Sequence, residues 1–371
     1  VQEEFRSFRR SVAKGGGFAS HGAVRALLPI ALAFVAAPAG PAADAPAEAP
    51  AVVRGMTISC RGSGREWGLD GFGDELDRLA DLGVNWVAIH PYAGIRADGT
   101  VRCRYDLETL PSWIRRPIAE AHARGMKIFI KPHIAYWGSP FDWRGAIDFE
   151  APEARERFFR TYAEWIVGLA RGTRDADAFA VGTELDRLVE HEAEWRRIIA
   201  RVREVSDVKL TYAANWSDYG RVPFWDALDA IGVQAYFPLV DESAVEPDES
   251  ALEAGWERAL AGLRELHERT GKPVVFTELG YDTVPHAAAR PWVGRGYRDR
   301  DGPAETPLQK RCLAVALRVI DREREWLRGA FLWKWFVGTS ARANFRLDVP
   351  GVRRVMRDAW GGDGLETSSE R

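Results

Sequence analysis

Cysteine is scarce in this chain, with three among 371 residues. Three thiols cannot build a disulfide framework, and no Cys-x-x-Cys or zinc-finger spacing occurs. Charge of one sign is lacking as well. Fifty-one basic and 54 acidic side chains leave a formal charge of −3, too weak a field to draw in nucleic acid or an anionic membrane surface. The apolar run ALLPIALAFVAA (26–37) is too short to span a bilayer comfortably. The turn RGSGREWG (61–68) lacks a GxGxxG phosphate fingerprint, and HEAEW (191–195) lacks the second histidine of HExxH. No Pro/Gly/Ser-rich linker divides residues 51–360. Tryptophan, by contrast, is plentiful at fifteen residues.

The first fifty residues stand apart in composition. Arg6, Arg9, Arg10, Lys14 and Arg25 form a basic region, followed by the apolar run and then by PAGPAADAPAEAPA. Basic, apolar and small-residue segments in that order predict a secretory signal peptide and leader over 1–50, hence a secreted or periplasmic protein. A retained membrane anchor is the rival reading. An oxidising compartment would allow a disulfide between Cys60 and Cys103. Cys312 falls on a helical apolar series with Leu308, Val315, Ala316 and Val319 and reads as a buried free thiol. The polar, Gly-rich end, 361–371, reads as a disordered tail.

Between these ends the chain alternates. Apolar runs at 56–60, 85–91, 127–134, 178–185, 209–216, 230–239, 273–281 and 329–336 are rich in Val, Ile, Phe and Tyr, as strands covered on both faces should be. The segments between them carry helical period. Phe158, Tyr162, Trp165, Ile166 and Leu169 form one such face, and even the shortest, VPFWDALD (222–229), has room for two helical turns. Eight strand–helix units in one domain over 51–360 predict an α/β protein with a single (β/α)8 TIM barrel.

In such a barrel the C-terminal strand ends form the active face. AFAVGTEL (178–185) places Glu184 at the end of the fourth strand, and PVVFTELGY (273–281) places Glu278 at the end of the seventh. Two carboxylates about 5–5.5 Å apart across one mouth are what retaining glycoside hydrolysis requires, one as proton donor and one as nucleophile.

VGTEL (181–185), FTELGY (276–281), GVNWVAIHP (83–91) and FLWKW (331–335) resemble glycoside hydrolase clan A and, within it, family 113, known for endo-β-1,4-mannanases. The resemblance covers about residues 54–340. It implies Glu184 as acid/base, Glu278 as nucleophile and β-1,4-mannan as substrate; no cofactor is expected, and the missing HxH and HExxH pairs speak against a catalytic metal. Tyr236 resembles the clan tyrosine that hydrogen-bonds the nucleophile. Many clan members carry Asn just before the acid/base to bind the sugar 2-hydroxyl. Thr183 stands there in this chain, offering a weaker single contact.

Further substrate-binding candidates come from the other strand ends. Trp333 and Trp335 share a face by strand alternation, and one of them should floor the sugar at the cleavage site. His90 and His133 end strands two and three and could donate to hydroxyls. Asn215 and Trp216 end strand five on the leaving-group side. Trp67, Trp137 and Trp143 are candidate outer platforms. The loops 135–150 and 282–306 would decide endo or exo cleavage, and VGRGYRDRDG (293–302) suits a mobile flap.

Three alternatives stay open. The glycan could be another β-linked polymer, such as glucan, galactan or xylan. His90, His133 and Glu184 could converge on a metal, although the first strand, MTISC, has no HxH pair. The barrel could also bind sugar without cleaving it. The expected partner is a polysaccharide or oligosaccharide, with no nucleic acid, no membrane partner beyond an uncleaved leader, and a monomeric state.

Overall fold

A computed structural model describes residues 52–244, 246–296, 302–338 and 343–361. The leader expected over 1–50, the tail after 361 and residues 297–301 of the expected flap lie outside the described residues.

Each of the eight apolar runs holds one strand of a closed, wholly parallel barrel. The chain forms eleven strands among the described residues. These are β1 (Val53–Ser59), β2 (Trp86–Ile89), β3 (Tyr92–Ile95), β4 (Val101–Arg102), β5 (Lys127–Ile130) and β6 (His133–Ala135). They continue with β7 (Ala178–Thr183), β8 (Lys209–Asn215), β9 (Ile231–Gln234), β10 (Val274–Leu279) and β11 (Leu327–Phe336). The barrel runs β1, β2, β5, β7, β8, β9, β10, β11 and closes where β11 pairs with β1, from Val53 opposite Gly329 to Ser59 opposite Phe336.

Two runs read as continuous strands are broken. Pro91 and Pro132 carry no N–H for the ladder, so β2 and β5 stop short of them. The chain then resumes as β3 and β6, and β3 pairs with both β6 and β4 in a small separate sheet. His133 therefore begins β6 instead of ending the third barrel strand. Likewise β9 ends at Gln234, leaving Tyr236 in the loop beyond it.

Among the described residues, seven α-helices ring the barrel: α1 (Gly71–Ala80), α2 (Ser112–His122), α3 (Pro152–Gly172), α4 (Glu192–Arg203), α5 (Glu249–Thr270), α6 (Pro307–Arg322) and α7 (Pro350–Trp360). Their ends follow local chemistry. Asp248 caps α5 by accepting from the Ala251 N–H at 2.8 Å, and Gly271 ends it at φ +65, a conformation glycine adopts without steric cost. Thr306 caps α6 in the same way, with Pro307 in its first turn. Between β8 and β9 the expected two helical turns shrink to single 3-10 turns at Tyr219–Arg221 and Trp225–Ala227. Phe224 and Trp225 turn inward there onto Trp195 and Tyr212.

The main core lies between strands and helices, with Phe158, Tyr162 and Trp165 of α3 wholly or almost wholly buried. Inside the barrel, Ala88, Phe129, Ala180 and Phe331 form a second, smaller cluster. Truncating Phe129 to Ala would cost about 3–5 kcal/mol, since nothing flexible could refill the space. Lys131, Gln234 and Thr277 form a buried polar group linked by hydrogen bonds: Lys131 Nζ donates to the Thr277 carbonyl at 3.1 Å, and the Thr277 hydroxyl donates to Gln234 Oε1 at 2.9 Å.

Candidate active site

Glu278 reaches the barrel mouth because β10 breaks its own alternation. Val275 packs on the inner cluster, whereas Phe276 and Leu279 belong to the outer core. The pairing of β10 with β9 slips between Phe276 and Glu278, a bulge that re-aims the side chain. Glu278 is consequently both buried and part of the cavity wall. The Lys131 ammonium donates to Oε1, and the Tyr236 hydroxyl donates to Oε2 at 2.7 Å. Lys131 also lies over the Trp333 ring, 5.2 Å from its centroid. Burial lowers the Lys131 pKa, and the charge of Glu278 only partly restores it.

Glu184 follows β7 with φ +50, a left-handed backbone that non-glycine residues seldom adopt. Its N–H still bonds the Ala213 carbonyl at 2.9 Å, which fixes the turn out of the barrel. Such strain persists where the surroundings enforce it and is characteristic of working sites. Arg144, from the loop after β6, donates to Glu184 Oε2 through Nη1 and to the Ile134 carbonyl through Nε at 3.2 Å. Burial opposes the Arg144 charge, but Glu184 outweighs it and holds the guanidinium pKa above its usual value.

His133 links the two carboxylates. Arg144 Nη2 stands 3.3 Å from His133 Nδ1, and His133 Nε2 stands 3.7 Å from Glu278 Oε1. Guanidinium can only donate, so Nδ1 accepts and the ring proton sits on Nε2, facing Glu278. Burial, then Arg144 and Lys131, push the His133 pKa well below its ordinary value, and the ring is neutral.

Both glutamates line one open cavity of about 500 Å³. Trp143, Trp333 and Phe345 contribute aromatic wall, as do Trp216 and Trp292, whose rings stack with centroids 5.4 Å apart. Asn215, Ser217, Asp186 and Asp218 supply a polar stretch beside Glu184.

A family model, Glycoside Hydrolase Family 113, matches residues 56–346. The chain belongs to Glycoside Hydrolase Family 113. No curated protein matches its sequence. Among solved structures, a family 113 β-mannanase from Alicyclobacillus acidocaldarius in complex with ManMIm is 26% identical, with TM-score 0.71 over 84% of this chain and 97% of that one. A complex of a family 113 β-1,4-mannanase is 20% identical, with TM-score 0.69 over 84% and 99%. A family 5 mannosidase from Rhizomucor miehei shares the fold at 11% identity, TM-score 0.56, over 84% and 92%.

In this family 113 glycoside hydrolase the cavity gathers Glu184, Glu278, His133, Asn215, Trp216, Tyr236, Trp333 and Trp143 from the residues singled out in the sequence. Five others fall elsewhere. His90 is wholly buried beneath the site, stacked on His133 at 4.9 Å and tilted against Trp333 at 5.4 Å, with no face open to a hydroxyl. Trp335 points away from Trp333, because the β1–β11 register skips Lys334 and inverts the alternation. Its indole N–H donates to Glu75 Oε2 of α1 at 2.8 Å. Trp67 is fully buried edge-on to His90, and Trp137 packs against Tyr92 and Tyr136. Thr183 also turns inward, donating to the Pro132 carbonyl at 3.0 Å.

Cys60 and Cys103 are free thiols instead of a disulfide. Cys60 bonds the Gly62 carbonyl and Cys103 the Tyr105 carbonyl, each at 3.3 Å. Among the described residues no three His, Cys, Asp or Glu side chains are arranged to hold a metal ion, His90, His133 and Glu184 included.

The polar residues least visible in the sequence were Lys131, Arg144, Asp186 and Asp218. Lys131 carried a signal, a cation set in the apolar run KIFIKPHI. Arg144 and Trp292 come from loops and carried none.

Proposed function

We propose that the enzyme hydrolyses β-1,4-mannan with net retention, using Glu184 as acid/base and Glu278 as nucleophile. The observation that carries this reading is the shared cavity of two glutamates from the fourth and seventh barrel strands. Family membership and the β-mannanase neighbours support the choice of polymer.

Glu278 suits the nucleophile. Its two oxygens meet an ammonium and a phenol, two donors that fix its aim. It attacks the anomeric carbon while Glu184 protonates the departing oxygen, and a glycosyl ester on Glu278 results. Lys131 and Tyr236 restabilise the carboxylate as that ester breaks. Glu184, now a base, takes a proton from the water that attacks the same carbon, and the sugar leaves with its original configuration. Arg144 donates to Glu184 Oε2 and so fixes the direction in which that carboxyl faces the cavity. Trp333, above Lys131, serves as the floor for the sugar at the cleavage site. The basic, apolar and small-residue order of residues 1–50 supports export as the setting.

The test pairs a substrate panel with a rescue experiment. Wild type is offered mannan, glucomannan, cellulose, xylan, β-1,3-glucan and galactan, and the anomer released first is followed by NMR. Mannan turnover releasing the β-anomer supports the reading, and first release of the α-anomer overturns the mechanism. Glu184→Ala should regain turnover of an activated aryl glycoside with azide and yield a β-glycosyl azide, whereas Glu278→Ala should yield none.

A further inference from the structure

The cavity contains two carboxyl groups that double displacement leaves unused. Asp186 lies two residues beyond Glu184. Asp218 closes the turn after β8, where its N–H bonds the Asn215 carbonyl at 3.0 Å. Both line the cavity, and Asp186 is only 7% exposed. The two carboxyls are near neighbours, each acting on the other's titration. Neighbouring carboxylates resist carrying full charge together, which favours keeping one proton between them.

The surroundings decide where that proton resides. Burial works against charge on Asp218, but the Ser217 hydroxyl and the Arg221 guanidinium, each at 2.6 Å, outweigh it and hold its pKa down. Asp186 accepts only from the Asn215 amide, at 3.2 Å. Burial, then the charges of Asp218 and Glu184, push its pKa up to about 7. Arg221 is shared with Glu190, and Arg144 is engaged by Glu184, so neither cation is left for Asp186.

We propose that Asp186 and Asp218 are a specificity pair for the departing sugar, two carboxyl side chains that together grip one hydroxyl of the leaving-group residue beside the stacked Trp216 and Trp292 rings. This rests on the reading of Glu184 as the acid. Its proton must reach the leaving oxygen, so groups clustered around it face the sugar that departs. A pyranose presents an apolar C–H face to indole and a rim of hydroxyls that are each donor and acceptor. The stacked tryptophans suit the face. The pair suits a rim hydroxyl, since it offers an O–H and an ionised oxygen side by side. An aryl leaving group has no such hydroxyl and gains nothing from the pair.

The test uses the full-length protein and two substrates, a linear β-1,4-manno-oligosaccharide and dinitrophenyl β-mannobioside. The measured quantity is the ratio of their kcat/KM values, oligosaccharide over aryl glycoside. Near pH 5.5, Asp186→Ala is expected to lower that ratio about 10- to 100-fold, chiefly through KM of the oligosaccharide. Asp186→Asn keeps a donor and an acceptor in place of the acid and is expected to recover about tenfold of the loss. In wild type the ratio should fall as pH rises through about 7, and in Asp186→Asn it should not. A ratio unmoved by Asp186→Ala, with wild type active on both compounds, overturns the pair alone. A wild type that hydrolyses neither compound overturns the mannanase reading beneath it.

Discussion

The Tyr236 hydroxyl donates to Glu278 Oε2 at 2.7 Å while Lys131 occupies Oε1, so each oxygen of one carboxylate has its own donor. Burial, and then the charge of Glu278, push the Tyr236 pKa well above the usual phenol value, which keeps its proton in place at any working pH. Tyr236→Phe removes the hydroxyl and little else. It should cost about 10- to 100-fold in kcat/KM on an activated aryl glycoside, the worth of a hydrogen bond to a charged group. The kinetics and a thermal melt check this together. A loss confined to KM would tie the hydroxyl to the sugar instead of to Glu278.

Lys131 is wholly buried, and Glu278 is the charged group that pairs with it. Lys131→Met strands the carboxylate without its cation and should destabilise the fold by about 3–5 kcal/mol. Adding Glu278→Gln removes the stranded charge, so the double variant should be more stable than Lys131→Met alone. Urea unfolding of the four proteins in the cycle gives the coupling. Simple additivity would mean that the two groups stabilise the fold independently.

The barrel was legible because strands covered on both faces become apolar runs and the helices between them keep a 3.6-residue period. The two glutamates were legible as acids ending such runs. What escaped was local ladder geometry. Alternation places Trp335 beside Trp333, yet the register skips Lys334 and sends Trp335 to Glu75. The same rule would point Glu278 out of the barrel, and a slip beside it turns the side chain in. Pro91 and Pro132 were printed in the sequence, and their missing donors explain why His90 and His133 sit below and beside the site instead of ringing it. Lys131 and Arg144 gain their roles from residues far along the chain, contacts that only closure of the ring creates.

Trp333 and Trp335 should therefore separate in their effects. Trp333→Ala removes a cavity wall and should raise KM for oligosaccharide by tenfold or more, on the order of 1.4 kcal/mol of lost binding. Trp335→Phe should leave KM near wild type while lowering stability by about 1–3 kcal/mol, because buried Glu75 loses a donor. Kinetics and urea midpoints for both variants check the division. A KM effect of Trp335→Phe equal to that of Trp333→Ala would mean that both rings meet the sugar.

The free thiols predict indifference to reductant. Dithiothreitol should leave the melting temperature unchanged, since no bond joins Cys60 to Cys103. Burial pushes the Cys60 and Cys312 thiols up to about 12, whereas Cys103 is raised less. Iodoacetamide needs thiolate, so native alkylation should mark Cys103 first, with Cys60 and Cys312 reacting after unfolding. Peptide mass mapping reads the order. A drop in melting temperature with reductant would point to a disulfide.

Asp186 gives the fold a pH dependence of definite sign. Its pKa stands at about 7 in the folded chain against an ordinary 3.8, so between about pH 4 and 7 the native state holds a proton that the unfolded state has released. Stability must fall as pH rises through that window, by at most about 1.4 kcal/mol per pH unit, and then level off. Asp218 is shifted the other way, and its favourable contribution disappears only as pH drops below the ordinary carboxylate range. The two effects therefore occupy different windows. Asp186→Asn cannot titrate, so its stability relative to wild type should improve steadily from about pH 4 to 7 and stay constant above. Urea midpoints across that range supply the measurement. Parallel curves for the two proteins would show that Asp186 releases its proton at the ordinary pH, leaving the carboxyl pair without a shared proton.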